Sequence, residues 1–328
     1  MLAGKQHASP RFLVTGSSGF LGASLVQMLA RQQDALVLAC DTETSFGTTC
    51  LAGVSHKLLD VRDREACMRV FREFAPTHVV HAAAVTVGEE RLMLAVNLAG
   101  TENVMDAAMT VGSVERCLLL SSSGVYGSVQ DHRPCDEEHP LDTRSTYAYT
   151  KRAAELCLPP REAKSGIAMV AARIGPCYGA QERVGTFRPR MSLPGTLRHA
   201  LVHGETVRVY GGGHVRDWTH VEDIHRALIR LLVTPSLRHR MYNLSCGVAV
   251  SAREVVAAFT ELGLRTQWVE APSEATLVLR SEDSRKPMVI ERLRSDTGFS
   301  PVYTLRQGIR TLLDGSLLPF PQPVSNRT

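Results

Sequence analysis

Tyr147 and Lys151 stand four residues apart in the run Tyr-Ala-Tyr-Thr-Lys, and together they have the chemistry to move a proton. On a helix, positions i and i+4 share a face. A free tyrosine has a pKa of about 10 and is a poor base at neutral pH, but an adjacent ammonium stabilises the phenolate. A tyrosine lowered in this way removes a hydroxyl proton while a hydride leaves the same carbon. Tyr149 is only two residues from the lysine and faces elsewhere, so Tyr147 is the candidate base. The spacing alone is also what a solvated amphipathic helix shows. The run Ser121-Ser122-Ser123-Gly124-Val125-Tyr126-Gly127 supplies a serine that can hydrogen-bond a reacting oxygen; a turn held by its own serine side chains is the alternative.

A second constellation could hold a dinucleotide. Thr15-Gly16-Ser17-Ser18-Gly19-Phe20-Leu21-Gly22 follows an apolar run and opens an amphipathic one. Gly16 permits a tight turn, Gly19 lets the backbone approach a pyrophosphate, and Gly22 lets the helix pack closely on a sheet. The helix N-terminus then offers N–H groups and a partial positive charge to the phosphates. Asp41, 19 residues beyond Gly22, is placed to hold the adenosine ribose hydroxyls. Its carboxylate would repel a 2′-phosphate, and no arginine follows before Arg62, which favours NAD over NADP. Asp60 either accepts from the adenine amine or caps the helix that follows; the residue types leave both open.

The elements that must position these groups alternate along the first half of the chain. Apolar runs at 11–15, 35–40, 54–59, 77–82, 116–121 and 168–173 read as strands buried on both faces of a parallel sheet. Between them, 20–31, 64–74, 96–111 and 147–158 read as helices, with Pro159-Pro160 ending the last. The serine run then falls at the carboxyl end of the fifth strand, where open α/β sheets bind ligands. After Arg173 glycine and proline become frequent. Strand candidates there are 207–210 and 241–244, and helix candidates are 223–232, 252–262 and 305–313. The expectation is an α/β chain: a Rossmann-type doubly wound parallel sheet over 1–174, with helix 223–233 packing back on it, and a smaller substrate-binding region over 175–328.

Bulk properties are those of a globular protein: 328 residues, 44% apolar and 21% charged. The net charge of +4 comes with scattered arginines, so nothing points to nucleic acid. The cysteines at 40, 50, 67, 117, 135, 157, 177 and 246 include no CxxC pair and read as reduced, cytoplasmic core residues with no metal site. Residues 1–10 lack the apolar stretch of a signal peptide, and no apolar run reaches the ~20 residues of a membrane span.

Taken together, the motifs resemble those of the extended short-chain dehydrogenase/reductase family, within it the NAD-dependent epimerase/dehydratase group that includes UDP-glucose 4-epimerase. The resemblance runs from about Arg11 to Pro301. It rests on the glycine run 15–22, Asp41, Asp60, His81-Ala82-Ala83-Ala84, Asn97, the serine run 121–127, the Tyr147/Lys151 pair, Arg173 through Gly179, Tyr210-Gly211, the run 216–223 (Arg-Asp-Trp-Thr-His-Val-Glu-Asp) and Tyr242-Asn243-Leu244.

The resemblance implies NAD as cofactor. Gly16, Ser18, Gly19, Phe20 and Leu21 would hold the pyrophosphate, Asp41 the ribose, and Asp60 and Val61 the adenine. Ala82, Ala83 and Ala84 would line the cofactor site, and Asn97 would support it. Ser122, Tyr147 and Lys151 would be catalytic, with Ser123 as second choice for the serine and Lys151 also binding the nicotinamide ribose. Arg216 matches the arginine that grips a nucleotide-sugar diphosphate, a task suited to its bidentate fork; a surface pair with Asp217 is the alternative. Thr86, Ser122, Ser123, Tyr147 and Arg216 would face the substrate. Family dehydratases and decarboxylases carry acids where this chain has Ser123-Gly124. The expected activity is therefore nucleotide-sugar epimerisation by transient hydride abstraction, with net dehydrogenation or reduction as the alternative. Family members commonly dimerise through the helices matching 96–111 and 147–158.

Overall fold

The computed structural model describes residues 9–32, 34–43, 51–127, 135–185, 188–281 and 284–314. Cys50, most of the N-terminal stretch and the end of the chain lie outside the described residues. The first half runs β1 (Arg11–Thr15), α1 (Phe20–Ala30), β2 (Leu36–Asp41), β3 (Val54–Leu58), α2 (Arg64–Phe74), β4 (His78–His81), α3 (Glu90–Met93), α4 (Gly100–Met109), β5 (Arg116–Ser122), α5 (Thr146–Leu156), α6 (Leu158–Ser165) and β6 (Ala168–Ile174). The second half adds β7 (Cys177–Tyr178), α7 (Leu193–Val202), β8 (Thr206–Gly211), β9 (Val215–Arg216), β10 (Thr219–His220), α8 (Val221–Val233) and β11 (Met241–Leu244). It closes with β12 (Val250–Ser251), α9 (Ala252–Thr260), β13 (Arg265–Trp268), β14 (Leu277–Leu279), α10 (Glu291–Thr297) and α11 (Leu305–Asp314).

Seven strands form one parallel sheet in the order β11-β6-β5-β4-β1-β2-β3, the doubly wound arrangement expected. Successive side chains of a strand point to opposite faces. Phe12 and Val14 accordingly join Leu25 and Leu29 of α1 and Ile224 and Leu228 of α8 in one core. Leu13 joins Phe71 of α2 and Met105 of α4 in the other. The expected packing of α8 back onto the sheet is therefore present, and Arg116 fastens it: its guanidinium donates to Thr234 O at 2.7 Å, at the helix C-terminus where a cation is favoured.

Three expectations are corrected. β3 is not buried on both faces; it is an edge strand with Ser55, Lys57 and Leu58 exposed. β11 does not belong with the smaller region; it extends the main sheet beside β6. The helix predicted over 96–111 begins earlier, because α3 and α4 are joined by a π-helical turn at Leu94–Ala99. Of the two readings open for Asp60 the cap is excluded, since Asp63 caps α2, accepting from Ala66 N. Pro159 and Pro160 do end α5, yet α6 starts at once with them in its first turn, where a missing N–H costs nothing.

The three-stranded sheet β13-β8-β14 has its own core, in which Val209 meets Leu197, Phe259 and Ile309 of α7, α9 and α11. Two-residue ladders pair β7 with β10 and β9 with β12, separate from both sheets. Among the described residues no helix is long and apolar enough to cross a membrane. The seven described cysteines are free, four of them buried.

Candidate active site

The glycine loop is built by close backbone approach. Gly16 has φ +70°, and a Cβ there would lie 2.4 Å from Ala83 N. The loop thus rests directly on Ala82 and Ala83 at the end of β4. A Cβ on Gly22 would lie 2.0 Å from Gly16 O, so Gly22 is needed against the loop itself. Gly19 N-caps α1, and no side chain caps the helix. A narrow glycine-lined cradle at an uncapped helix N-terminus suits a pyrophosphate, and the dinucleotide fits there. Gly16→Ala is expected to cost about 1–3 kcal/mol from the positive φ alone and to abolish NAD binding through the clash with Ala83. Denaturant unfolding and NAD titration read both effects; unchanged NAD affinity would remove the loop from the cofactor site.

Asp41 ends β2 beside this loop. Its Oδ2 accepts from Ser18 N at 2.8 Å and its Oδ1 from Thr42 N at 2.7 Å. Asp60 is gripped by Arg62 instead, with Oδ2 2.6 Å from the guanidinium, and that bond holds its carboxyl below the usual range. Val61 is buried against Gly100 and accepts through its carbonyl from Asn103 Nδ2 at 2.9 Å.

Asn97 sits in the π-helical turn, a distortion often found at functional sites. Its amide clamps both backbone groups of Val85, at 2.8 and 2.9 Å, and donates to Thr150 Oγ1 at 3.0 Å. It therefore ties the loop after β4 to α5 one residue before Lys151. His81 is bonded to Thr15 and Thr101, and burial pulls it down to about 3, with the Lys151 charge adding to the effect. Thr86 is exposed on the same loop.

The catalytic candidates come together. Ser122 ends β5, Ser123 begins the short turn after it, and Tyr147 and Lys151 face them from α5. Tyr147 is hydrogen-bonded to the Ser122 side chain, while Ser122 Oγ also accepts from Gly124 N at 3.0 Å. A Cβ on Gly124 would lie 3.2 Å from Ser122 Oγ, so position 124 adjoins that serine and brings no acid to it. Burial pushes the Tyr147 phenol up to about 12; the Ser122 bond and Arg188 pull it down and Cys177 pushes it further up. Lys151 does not contribute to that balance as the spacing predicted. Its ammonium is turned to β5, donating to Leu120 O at 2.7 Å, and burial lowers it to about 8.

Two residues at the site were not anticipated. Arg188 acts electrostatically on Tyr147 and places its guanidinium 4.7 Å from the Phe20 ring centroid, while pairing with Glu182. Nothing local in the sequence marks it. Glu155 lies one turn beyond Lys151 and carries a recoverable signal, an acid at i+4 on the catalytic face. Its carboxylate takes both Arg173 Nε and Nη2 at 2.9 Å. Arg173 in turn donates to Tyr126 OH at 3.0 Å, and Tyr126 OH donates to Asn243 Oδ1 at 2.7 Å. Arg173→Met leaves the Glu155 charge buried without this partner, and should cost about 3–5 kcal/mol in urea unfolding; a loss under about 1 kcal/mol would show the pair to be dispensable.

Arg216 is on β9, its guanidinium 5.4 Å from the Trp218 ring centroid. Asp217 is fully buried and accepts from Met288 N at 2.9 Å, and the Arg216 charge acts on its carboxyl from beside it. Burial pushes Asp217 up to about 6. Glu222 and Asp223 of the same run hold Tyr303 OH and the Val302 and Tyr303 amides, which seats the C-terminal segment on α8.

Comparison with known proteins identifies the family. Residues 12–245 match the model of the NAD dependent epimerase/dehydratase family. A dTDP-glucose 4,6-dehydratase of Streptomyces griseus is 29% identical over 310 residues, covering 90% of this chain and 91% of the relative. The crystal structure of Thermus thermophilus UDP-glucose 4-epimerase with NAD superposes with a TM-score of 0.78 at 29% identity, covering 93% of this chain and 98% of that one. MoeE5 in complex with UDP-glucose and NAD gives 0.77 at 29% identity, covering 93% and 97%. The chain therefore belongs to the NAD-dependent epimerase/dehydratase family, and is an NAD-using enzyme of the extended short-chain dehydrogenase/reductase type.

Proposed function

We propose that the protein epimerises a nucleotide sugar at a carbon bearing a hydroxyl, with Tyr147 as the base. NAD would lie along the glycine loop, with Asp41 at the ribose, Asp60 and Val61 near the adenine, and Ala82–Ala84 and Asn97 around it; bound there, it supplies a hydride acceptor that can return the hydride. Ser122 orients the sugar oxygen, and Tyr147 takes the hydroxyl proton and later gives it back. Lys151 holds the nicotinamide ribose and favours the phenolate once it reaches it. Arg216 takes the diphosphate, and Thr86 and Ser123 border the sugar. Cofactor binding would fall on 1–174, with helix 223–233 packed against it, and the smaller region 175–328 would add Arg216 to a substrate site that Thr86, Ser122, Ser123 and Tyr147 border from the first region.

The observation that carries epimerisation over dehydration is Gly124. An acid is needed to protonate a departing hydroxyl, and the position beside Ser122 that would hold one has no side chain. The nucleotide-sugar class is supported by the relatives that act on UDP- and dTDP-sugars. A homodimer through α4 and α5 is supported by exposed Tyr149 and Leu156 on α5; sedimentation of the purified protein as a monomer would refute it.

The deciding experiment incubates the protein with NAD and a panel of UDP-, dTDP- and GDP-sugars and separates the products by liquid chromatography with mass detection. Unchanged mass with shifted retention and no NADH is the expected result. A product lighter by one water would make it a dehydratase. One lighter by two hydrogens with matching NADH would make it a net dehydrogenase.

A further inference from the structure

On α5, Tyr147, Lys151 and Glu155 recur at every fourth residue and so share one face. The last two fasten that face to consecutive residues of β5. Lys151 Nζ donates to Leu120 O at 2.7 Å, and Ser121 Oγ donates to Glu155 Oε1 at 2.7 Å. The Glu155 side chain has no exposed surface; Arg173 holds it from β6, and Arg152 reaches Oε2 at 3.0 Å. Lys151 is itself only 2% exposed. A buried ammonium with a single carbonyl acceptor is costly unless an opposite charge stands near.

We propose that Glu155 is a positioning residue for the reaction: its carboxylate, pinned between Ser121 and Arg173, is the buried countercharge that keeps Lys151 an ammonium and holds the Tyr147–Lys151 face against the end of β5. The inference rests on the reading of Tyr147 and Lys151 as the working pair. The titratable groups around Lys151 are few. His81 faces it from β4 and is kept neutral by burial. Tyr147 and Glu155 flank it on α5, with Arg152 and Arg173 beyond Glu155. Of these, Glu155 opposes the effect of burial on the lysine. Removing its charge lets burial act unopposed, so the ammonium loses its proton at lower pH.

The chain has five lysines, Lys5, Lys57, Lys151, Lys164 and Lys286. Protein labelled at lysine Cε therefore gives few side-chain signals in an NMR titration, and Lys151→Met assigns the one of interest. The wild-type Lys151 midpoint is expected at about 8. In Glu155→Gln it should move to lower pH while Lys57, Lys164 and Lys286 stay in place. An unchanged midpoint would mean that the carboxylate does not act on Lys151, and it overturns the proposal. If the Gln variant does not fold, Glu155→Asp keeps a charge for Arg173 but withdraws it by one methylene. It should lower the midpoint by less, and an unchanged value there is equally fatal. Turnover of Lys151→Met on UDP-glucose and on the rest of the sugar panel tests the pair separately: full activity would remove Lys151 from the reaction, and Glu155's part with it, whatever the titration shows.

Discussion

Tyr147→Phe is expected to lower turnover by roughly 10²–10⁴-fold, the usual worth of a positioned general base, while NAD affinity stays close to that of the wild type. The ring stays in place and only the hydroxyl is lost, so the effect isolates proton transfer from packing. Ser122 loses one of its hydrogen-bond partners as well and keeps Gly124 N, and Ser122→Ala should show a smaller fall of about 10-fold or more. The phenol starts from about 12 in the chain as folded, and the Ser122 bond and the Arg188 charge already pull it down. Further lowering must come with the ligands, so kcat should rise with pH on the acid limb as the phenolate forms. Measured kcat/KM and NAD titration of the two variants decide the matter. A Phe variant that keeps its turnover would place the base elsewhere and leave Tyr147 a packing residue.

Acidification should unfold the protein steeply between about pH 6 and pH 4, where the unfolded chain takes up histidine protons that the folded one refuses. His81, His220 and His225 are buried, and burial pulls them down to about 3, 3 and 4. Their folded values lie below the unfolded ~6.5. The stability associated with the neutral rings is thus fully present above that value and is lost as pH falls toward the folded values. Each such histidine contributes a slope of about 1.4 kcal/mol per pH unit, and the three together about 4 kcal/mol per pH unit. Against a total stability of about 5–15 kcal/mol, that is enough to unfold the protein within a few pH units. Asp217 works in the opposite direction. Its raised value of about 6 means that its protonation on acidification favours the folded state, but it offsets one histidine at most. Urea unfolding at successive pH values would show the slope, and His225→Gln should reduce it by about one proton. Stability that stays flat through this range would mean that the three rings are not held neutral.

Much of the architecture is legible in residue order because it is governed by short-range geometry. The glycine loop follows β1 and opens α1 as read, since Gly16 needs a positive φ and Gly22 must clear Gly16 O, constraints set within a single loop. The Tyr147–Lys151 face follows from helical periodicity alone, and the same rule reaches Glu155. Strands β1, β2, β4, β5 and β6 lie within a residue or two of their apolar runs.

What only the tertiary structure decided depends on which segments become neighbours. The apolar run 54–59 reads as a buried strand, yet β3 ends the sheet, and an edge position cannot be told from so short a run. β11 looks like an isolated short strand until β6, far back in the chain, offers it a ladder that sets Met241 against Ala171. Asp60 reads as a cap or as an adenine contact, yet Arg62 holds it and Asp63 caps α2 instead. Arg188 meets Phe20 and Tyr147, and Glu155 meets Arg173, through the fold alone. Burial of a charge, unlike helix phase or a glycine turn, is a property of the surrounding volume. That volume is assembled from distant segments, and for this reason the pKa of Tyr147, the orientation of Lys151 and the fate of Glu155 could not be read from the residues beside them.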